Sequence, residues 1–322
     1  MIQENIKNLI AGQIRSMTGS AKPAIAFLEP AGDPGLFGPS SVTWKVHAHF
    51  ISMLVGGLSS LLVQATHPGA LAGVWDHSSF RTDLRARLGR TAYFIAATTY
   101  GGKSMAQSAI DHVNRIHQRI QGTRLDGQRY SALDPHLLKW VHLGEVTSFL
   151  QAYMTHADPV LPLYAQDRYI HEMARIGEAL GAKDLPHTVQ EAHTMLLAYR
   201  SELRIDDRVR EIVCLIEQFP ARWQDRALVR LVIAAAFEAL PPWIAEDLGI
   251  KKQHPAAKAL TRHALALASM PLEWTLATEG VRAYALRRVE ATAQQQADSN
   301  AHSNAHSNAD PQADPHKNQN QQ

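Results

Sequence analysis

The chain has 322 residues, 45% of them hydrophobic, enough for a sizeable buried core in one large domain or two small ones. Lys and Arg number 32 against 30 Asp and Glu, with no basic block dense enough to follow a phosphate backbone, which argues against nucleic acid as a partner. The single cysteine, Cys214, excludes an internal disulfide, and no charged-then-apolar leader opens the chain, so the expected compartment is reducing and cytoplasmic.

Helical periodicity dominates and no sustained alternation of β-branched residues occurs, which predicts an all-α fold. About ten helices are expected in a single large domain over residues 36–290, after an N-terminal helix and linker at 1–35 and before a tail at 291–322. The first helix spans Gln3 to Met17, with Ile6, Ile10, Ile14 and Met17 along one face that either packs on the core or makes a peripheral contact with a membrane surface. The Pro/Gly-rich stretch EPAGDPGLFGPSS is incompatible with regular structure.

A long apolar helix follows, from about Val42 to Ala65. Between Val46 and Trp75 the chain carries no Asp, Glu, Lys or Arg, and FISMLVGGLSSLLVQAT approaches the ~17 residues of a minimal membrane span. His47, His49, Gln64 and several Gly and Ser residues dilute it, so the reading is a buried core helix. Pro68 breaks the helix after His67, and the segment to Asp76-His77-Ser78-Ser79 reads as a connector with capping residues.

The next helix, Thr82 to Tyr100, stops at Gly101-Gly102, and AQSAIDHVNRIHQRI forms another before the loop GTRLDGQ. Asp134 then caps a helix with Pro135 in its first turn. Only Lys139 and Glu145 are charged between Leu137 and Met154, which makes this helix central. Further helices are expected at Ala165 to Leu180, Val189 to Leu196, Arg208 to Gln218, Asp225 to Ala239 and His254 to Arg288. After Ala291 the composition shifts to Gln, Asn, Ser, Ala and His, too polar to offset the entropy of ordering; His302 and His306 there suit only adventitious metal binding.

Several chemistries lack their residues. HExxH and Glu-x-x-His do not occur, one cysteine cannot make a covalent haem attachment, and the hydrolase elbow, Walker loop and Gly-x-Gly-x-x-Gly are missing. Cys214, within IVCLIEQF, reads as a core thiol.

What remains is polar residues set in apolar helices. His142 has Leu138, Val146 and Phe149 at i−4, i+4 and i+7, a spacing that suits either a core histidine bonded to a carbonyl or a neutral imidazole ligating the iron of a b-type haem. In RARLGRTAYF, Arg87 and Thr91 stand at i and i+4 with Arg90 one turn from Arg87, while Gly89 costs ~1 kcal/mol relative to Ala in a helix interior. The set is compatible with a solvated helix start, with an anchor for haem propionates, or with a hydrogen-bonding pair beside dioxygen. His67 and His77 have positions suited to capping.

The stretches THPGALAGVWDHSSFRTDLRARLGRT, YSALDPHLLKWVHLGEVTSFLQAY and DRYIHEMARIGEALGAKDLPHT, in this order and spacing, resemble the MpaB-like oxygenase family, which includes the rubber oxygenases known as latex-clearing proteins. The resemblance runs from about Leu36 to Trp243. It implies an all-helical fold around one non-covalent haem b, with His142 as the iron ligand, Arg87, Arg90 and His67 around the cofactor, and Arg87 and Thr91 acting in the dioxygen chemistry. The implied reaction is oxidative cleavage or oxygenation of an apolar isoprenoid-like or lipid substrate with dioxygen. Arg90 stands where the rubber-cleaving branch has lysine, and a guanidinium, always protonated, cannot ligate iron as an amine can. Without an export signal the expected substrate is smaller than extracellular rubber. The competing expectation is a haem or lipid binding protein without turnover.

Overall fold

The computed structural model describes residues 24–219, 221–251 and 253–291. The helix expected at Gln3 to Met17 and almost all of the polar tail lie outside these residues. Within them the protein is all-α apart from one small hairpin, as the periodicity predicts.

The long apolar helix is two helices, α1 (Val42–Val46) and α2 (Phe50–Ala65). His49 makes the break, restarting the helix as the cap of α2 by accepting from the Ser52 amide, while Ser41 caps the start of α1 by accepting from the Trp44 amide. The expected connector after His67 is instead a third helix, α3 (Pro68–His77), bent 106° from α2. Proline ends one helix and, with its fixed φ and absent N–H, opens the next.

Asp83 caps α4 (Leu84–Tyr100) by accepting from the Ala86 amide, and α5 (Lys103–His117) follows. In place of a simple loop, GTRLDGQ turns an antiparallel hairpin of β1 (Gln121–Thr123) and β2 (Arg129–Ser131), helped by Gly127 at φ +81°. The central helix is α6 (Pro135–His156), capped by Asp134 as expected. Then come α7 (Leu163–Ala179), α8 (Val189–Ala198), a short turn Tyr199–Glu202, α9 (Asp207–Glu217), α10 (Arg226–Glu238), α11 (Pro242–Asp247) and α12 (Pro255–Glu279). Gly280 separates α12 from a last helical stretch at 281–291.

Helices α2 and α6 make the most extensive contact in the fold. Gly56 permits it: a Cβ there would stand 2.6 Å from Phe149 Cδ1 and 2.9 Å from its Cα. Ile51, Val55, Leu62, Leu143 and Val146 are fully buried around this crossing. Arg288, also fully buried, donates to the carbonyls of Asp33 and Phe27 at 2.8 Å each, tying the Pro/Gly-rich connection to the last helical stretch.

Cys214 departs from its expected place, since it is exposed. Its apolar neighbours in sequence suggested burial, but α9 turns Val209, Ile212 and Ile216 inward and leaves Cys214 on the other face. Among the described residues no single helix is long and apolar enough to cross a membrane, and much of α2 is buried.

Candidate functional site

Helix α4 divides two cavities. Its Arg87, Gly89, Arg90 and Phe94 line one, of about 1120 Å³. Its Leu88, Ala92, Ile95 and Ala96 line the other, of about 420 Å³. Thr91 and Tyr93 touch both. Helix α2 runs past the two cavities as well, with Met53, Leu54 and Leu58 on the smaller and Leu61 and Gln64 on the larger.

The larger cavity exceeds the ~300–1,000 Å³ of ordinary ligand pockets, so it has room for a cofactor together with part of a substrate. Its walls come from α2, α3, α4, α5, the hairpin and α6. Tyr130 of β2 holds the hairpin in place by donating to Asp76 of α3 at 2.6 Å.

Arg87 donates to Ser78 Oγ at 3.1 Å, and Thr91 Oγ1 donates back to the Arg87 carbonyl at 3.3 Å. Burial, with the nearby Arg90 charge second, lowers the Arg87 pKa. A guanidinium held in this way with five N–H donors is suited to receive carboxylates or partially charged oxygen. Gly89 is buried against the cavity, in keeping with the close backbone approach that a glycine inside a helix suggests.

On α6, Leu138, Val141 and Glu145 face the same cavity. Glu145 is the one acidic side chain on its wall among the described residues, and burial raises its pKa to about 7. Its accessible surface opens onto the cavity, which reconciles partial exposure with strong desolvation. His77, His112 and His117 lie on the walls too, and His117 Nδ1 has no hydrogen-bond partner. Helical spacing does not single out Glu145, although an acidic residue on so apolar a helix is the available signal.

His142 stands on α6 between Leu138 and Glu145, yet its ring is not part of the cavity lining. It lies over Gly177 of α7, where an added Cβ would come within 2.9 Å of Nδ1. The residue is 6% exposed, Nε2 has no partner, and burial lowers the pKa to about 4, so the ring is neutral at physiological pH. His67 also lies off the cavity. Its Nδ1 caps α3 by accepting from the Gly69 amide at 3.1 Å, the capping role its position suggested. The structure thus brings Arg87, Arg90 and Thr91 together on the α4 wall of the cavity, and leaves His142, on the α6 helix that also lines it, and His67 off the lining.

Fold and cavities together define a helical domain with a largely apolar ligand space lined in part by arginines. The model of the ER-bound oxygenase mpaB/B'/rubber oxygenase catalytic domain matches residues 44–270, and the chain belongs to this family. It is accordingly an oxygenase domain, an oxidoreductase. Comparison with curated proteins and with solved structures gives no significant match.

Proposed function

We propose that the chain is a haem b-dependent oxygenase acting with dioxygen on a small apolar, isoprenoid-like or lipid substrate. The observation that carries this reading is the cavity of about 1120 Å³ lined by Arg87, Arg90 and Thr91 of α4 and by residues of α6, the helix that carries a buried neutral imidazole, His142, whose Nε2 is unpaired. Buried polar atoms in native proteins nearly always have partners, and an orphaned nitrogen calls for a ligand. The residues fit the cofactor: apolar walls for a macrocycle, cations for its propionates, and imidazole donors in His142 beside the cavity and in His117, whose Nδ1 is also unpartnered, on its wall.

In this reading His142, once turned from Gly177 toward the cavity, would supply the imidazole ligand for the iron, and Arg87 and Arg90 would hold the propionates. The haem supplies the activation of dioxygen that the protein's own side chains cannot. Thr91, on both cavities, would turn its hydroxyl from the Arg87 carbonyl to donate a hydrogen bond to bound substrate or dioxygen. Glu145 exchanges a proton near neutral pH, and the smaller cavity holds the apolar chain while keeping water out. Arg90, in place of an amine, leaves the iron without a lysine cap. The site acts inside the cell, and any membrane contact is peripheral.

Haem titration of purified protein tests the assignment. A Soret band is expected at one haem per chain; its absence contradicts the proposal. The competing reading, binding without turnover, predicts bound haem with no dioxygen consumption across a panel of polyunsaturated isoprenoids.

A further inference from the structure

Outside both cavities, three side chains from separate parts of the chain converge. His67 caps α3, His136 lies in the first turn of α6, and Glu202 ends the turn that follows α8. One ligand atom from each lies within 4.8 Å of the others. His136 Nε2 is 2.9 Å and 3.0 Å from the two Glu202 oxygens, and His67 Nε2 is 3.5 Å from one of them. Leu137 and Gly69, beside these histidines, line the larger cavity, whereas His67, His136 and Glu202 do not.

We propose that His67, His136 and Glu202 bind one divalent first-row transition ion, for which Zn²⁺ is the reference occupant. Two imidazoles and a carboxylate form a donor set used by zinc and by non-haem ferrous iron.

Two observations point to an ion in place of a proton. His67 is 6% exposed and its Nε2, aimed at the group, has no hydrogen-bond partner. The second concerns Tyr199, whose ring stacks on His136 at 4.5 Å between centroids. Its hydroxyl donates to the His136 carbonyl at 2.8 Å, which leaves His136 Nδ1, 3.2 Å away, to donate to the hydroxyl oxygen. With Nδ1–H so held, Nε2 faces the Glu202 carboxylate, and the position between them is one that a proton or a cation fills. An Nδ1–H held by an outer partner is also the usual state of a metal-bound histidine.

For His67 the ring proton must move. With Nδ1 accepting from the Gly69 amide, the neutral ring carries its proton on Nε2; coordination through Nε2 transfers that proton to Nδ1 and gives up the cap bond. The bond given up is a single helix cap, and a metal–nitrogen bond takes its place. Arg124, whose charge acts on His67, is itself paired with Asp126. Partial exposure of His136 and Glu202 lets water complete the coordination.

Calorimetric titration of the full chain with Zn²⁺, for wild type, His136→Gln and Glu202→Gln, tests the proposal. The tail histidines are common to all three, so the difference reports this site. Wild type is expected to bind one more equivalent than either variant, a loss larger than the roughly 10–100-fold that removing an outer partner causes. In ¹⁵N spectra of wild type, His67 is expected to change from the Nε2–H to the Nδ1–H form as Zn²⁺ is added. Equal stoichiometry in all three proteins overturns the site, and so does a Zn²⁺-saturated wild type in which His67 keeps Nε2–H.

Discussion

His47 and His142 are the same residue, almost equally buried at 5% and 6% exposure, and both are held neutral by burial, with pKa values of about 3 and about 4. Their surroundings differ in one respect. His47 Nδ1 bonds Thr99 Oγ1 at 2.8 Å and Nε2 bonds the Tyr169 hydroxyl at 3.0 Å, whereas His142 Nε2 has no partner. Burial alone does not separate a structural imidazole from one poised for a ligand; the count of satisfied nitrogens does.

This contrast is broken most directly at His47. His47→Ala leaves the Thr99 and Tyr169 hydroxyls without a partner, and urea unfolding should show a loss of about 2–4 kcal/mol. A loss under 1 kcal/mol would mean that the bonded pair contributes no more than an idle ring.

Acid sharpens it. The unfolded chain protonates both histidines below about pH 6.5, while the folded chain resists down to about pH 4 for His142 and about pH 3 for His47. Stability therefore falls with pH below 6.5, by ~1.4 kcal/mol per unit for each histidine. Unfolding measured at pH 6.5 and 5.5 should give a shallower fall in His142→Asn than in wild type. Glu145 acts in the opposite sense: its raised pKa makes the folded chain hold an extra proton between about 4.5 and 7, so its contribution is lost as pH rises through that window. Glu145→Gln should remove that loss, by on the order of 1 kcal/mol per pH unit, and an unchanged pH profile would place its carboxyl in bulk water.

A smaller effect separates the two orientations of His142. Gly177→Ala sets a methyl 2.9 Å from His142 Nδ1 and 2.5 Å from Leu185 Cδ1, and should cost ~1–3 kcal/mol in apo stability while retaining haem binding, because the ligating ring has left that space. Loss of haem binding in this variant would show that the ring ligates from where it lies. The smallest expected change is the apo stability of His142→Ala, within about 1 kcal/mol of wild type after loss of packing is offset by removal of an unpaired nitrogen.

Much of the arginine wall was legible in the sequence because Arg87, Arg90 and Thr91 are neighbours on one helix, where spacing determines which side chains share a face. The cap at Asp134 and the capping position of His67 were legible for the same local reason. Local pattern misjudged Pro68, which starts α3 as well as ending α2, and Cys214, whose apolar neighbours point away from it. The meeting of His67 with His136 and Glu202 depends on how three distant segments pack, and no linear spacing encodes it. Glu145 was visible as one of only two charges on the central helix, with Lys139, but its meaning required the cavity beside it.

The central claim is that the unpaired nitrogen of His142 serves a haem iron in the larger cavity. The most direct measurement is the absorption spectrum of wild type and His142→Ala, each titrated with haem. A wild-type Soret band saturating at one haem per chain and lost in His142→Ala is the predicted result; no band in wild type, or the same band in both, would contradict the account.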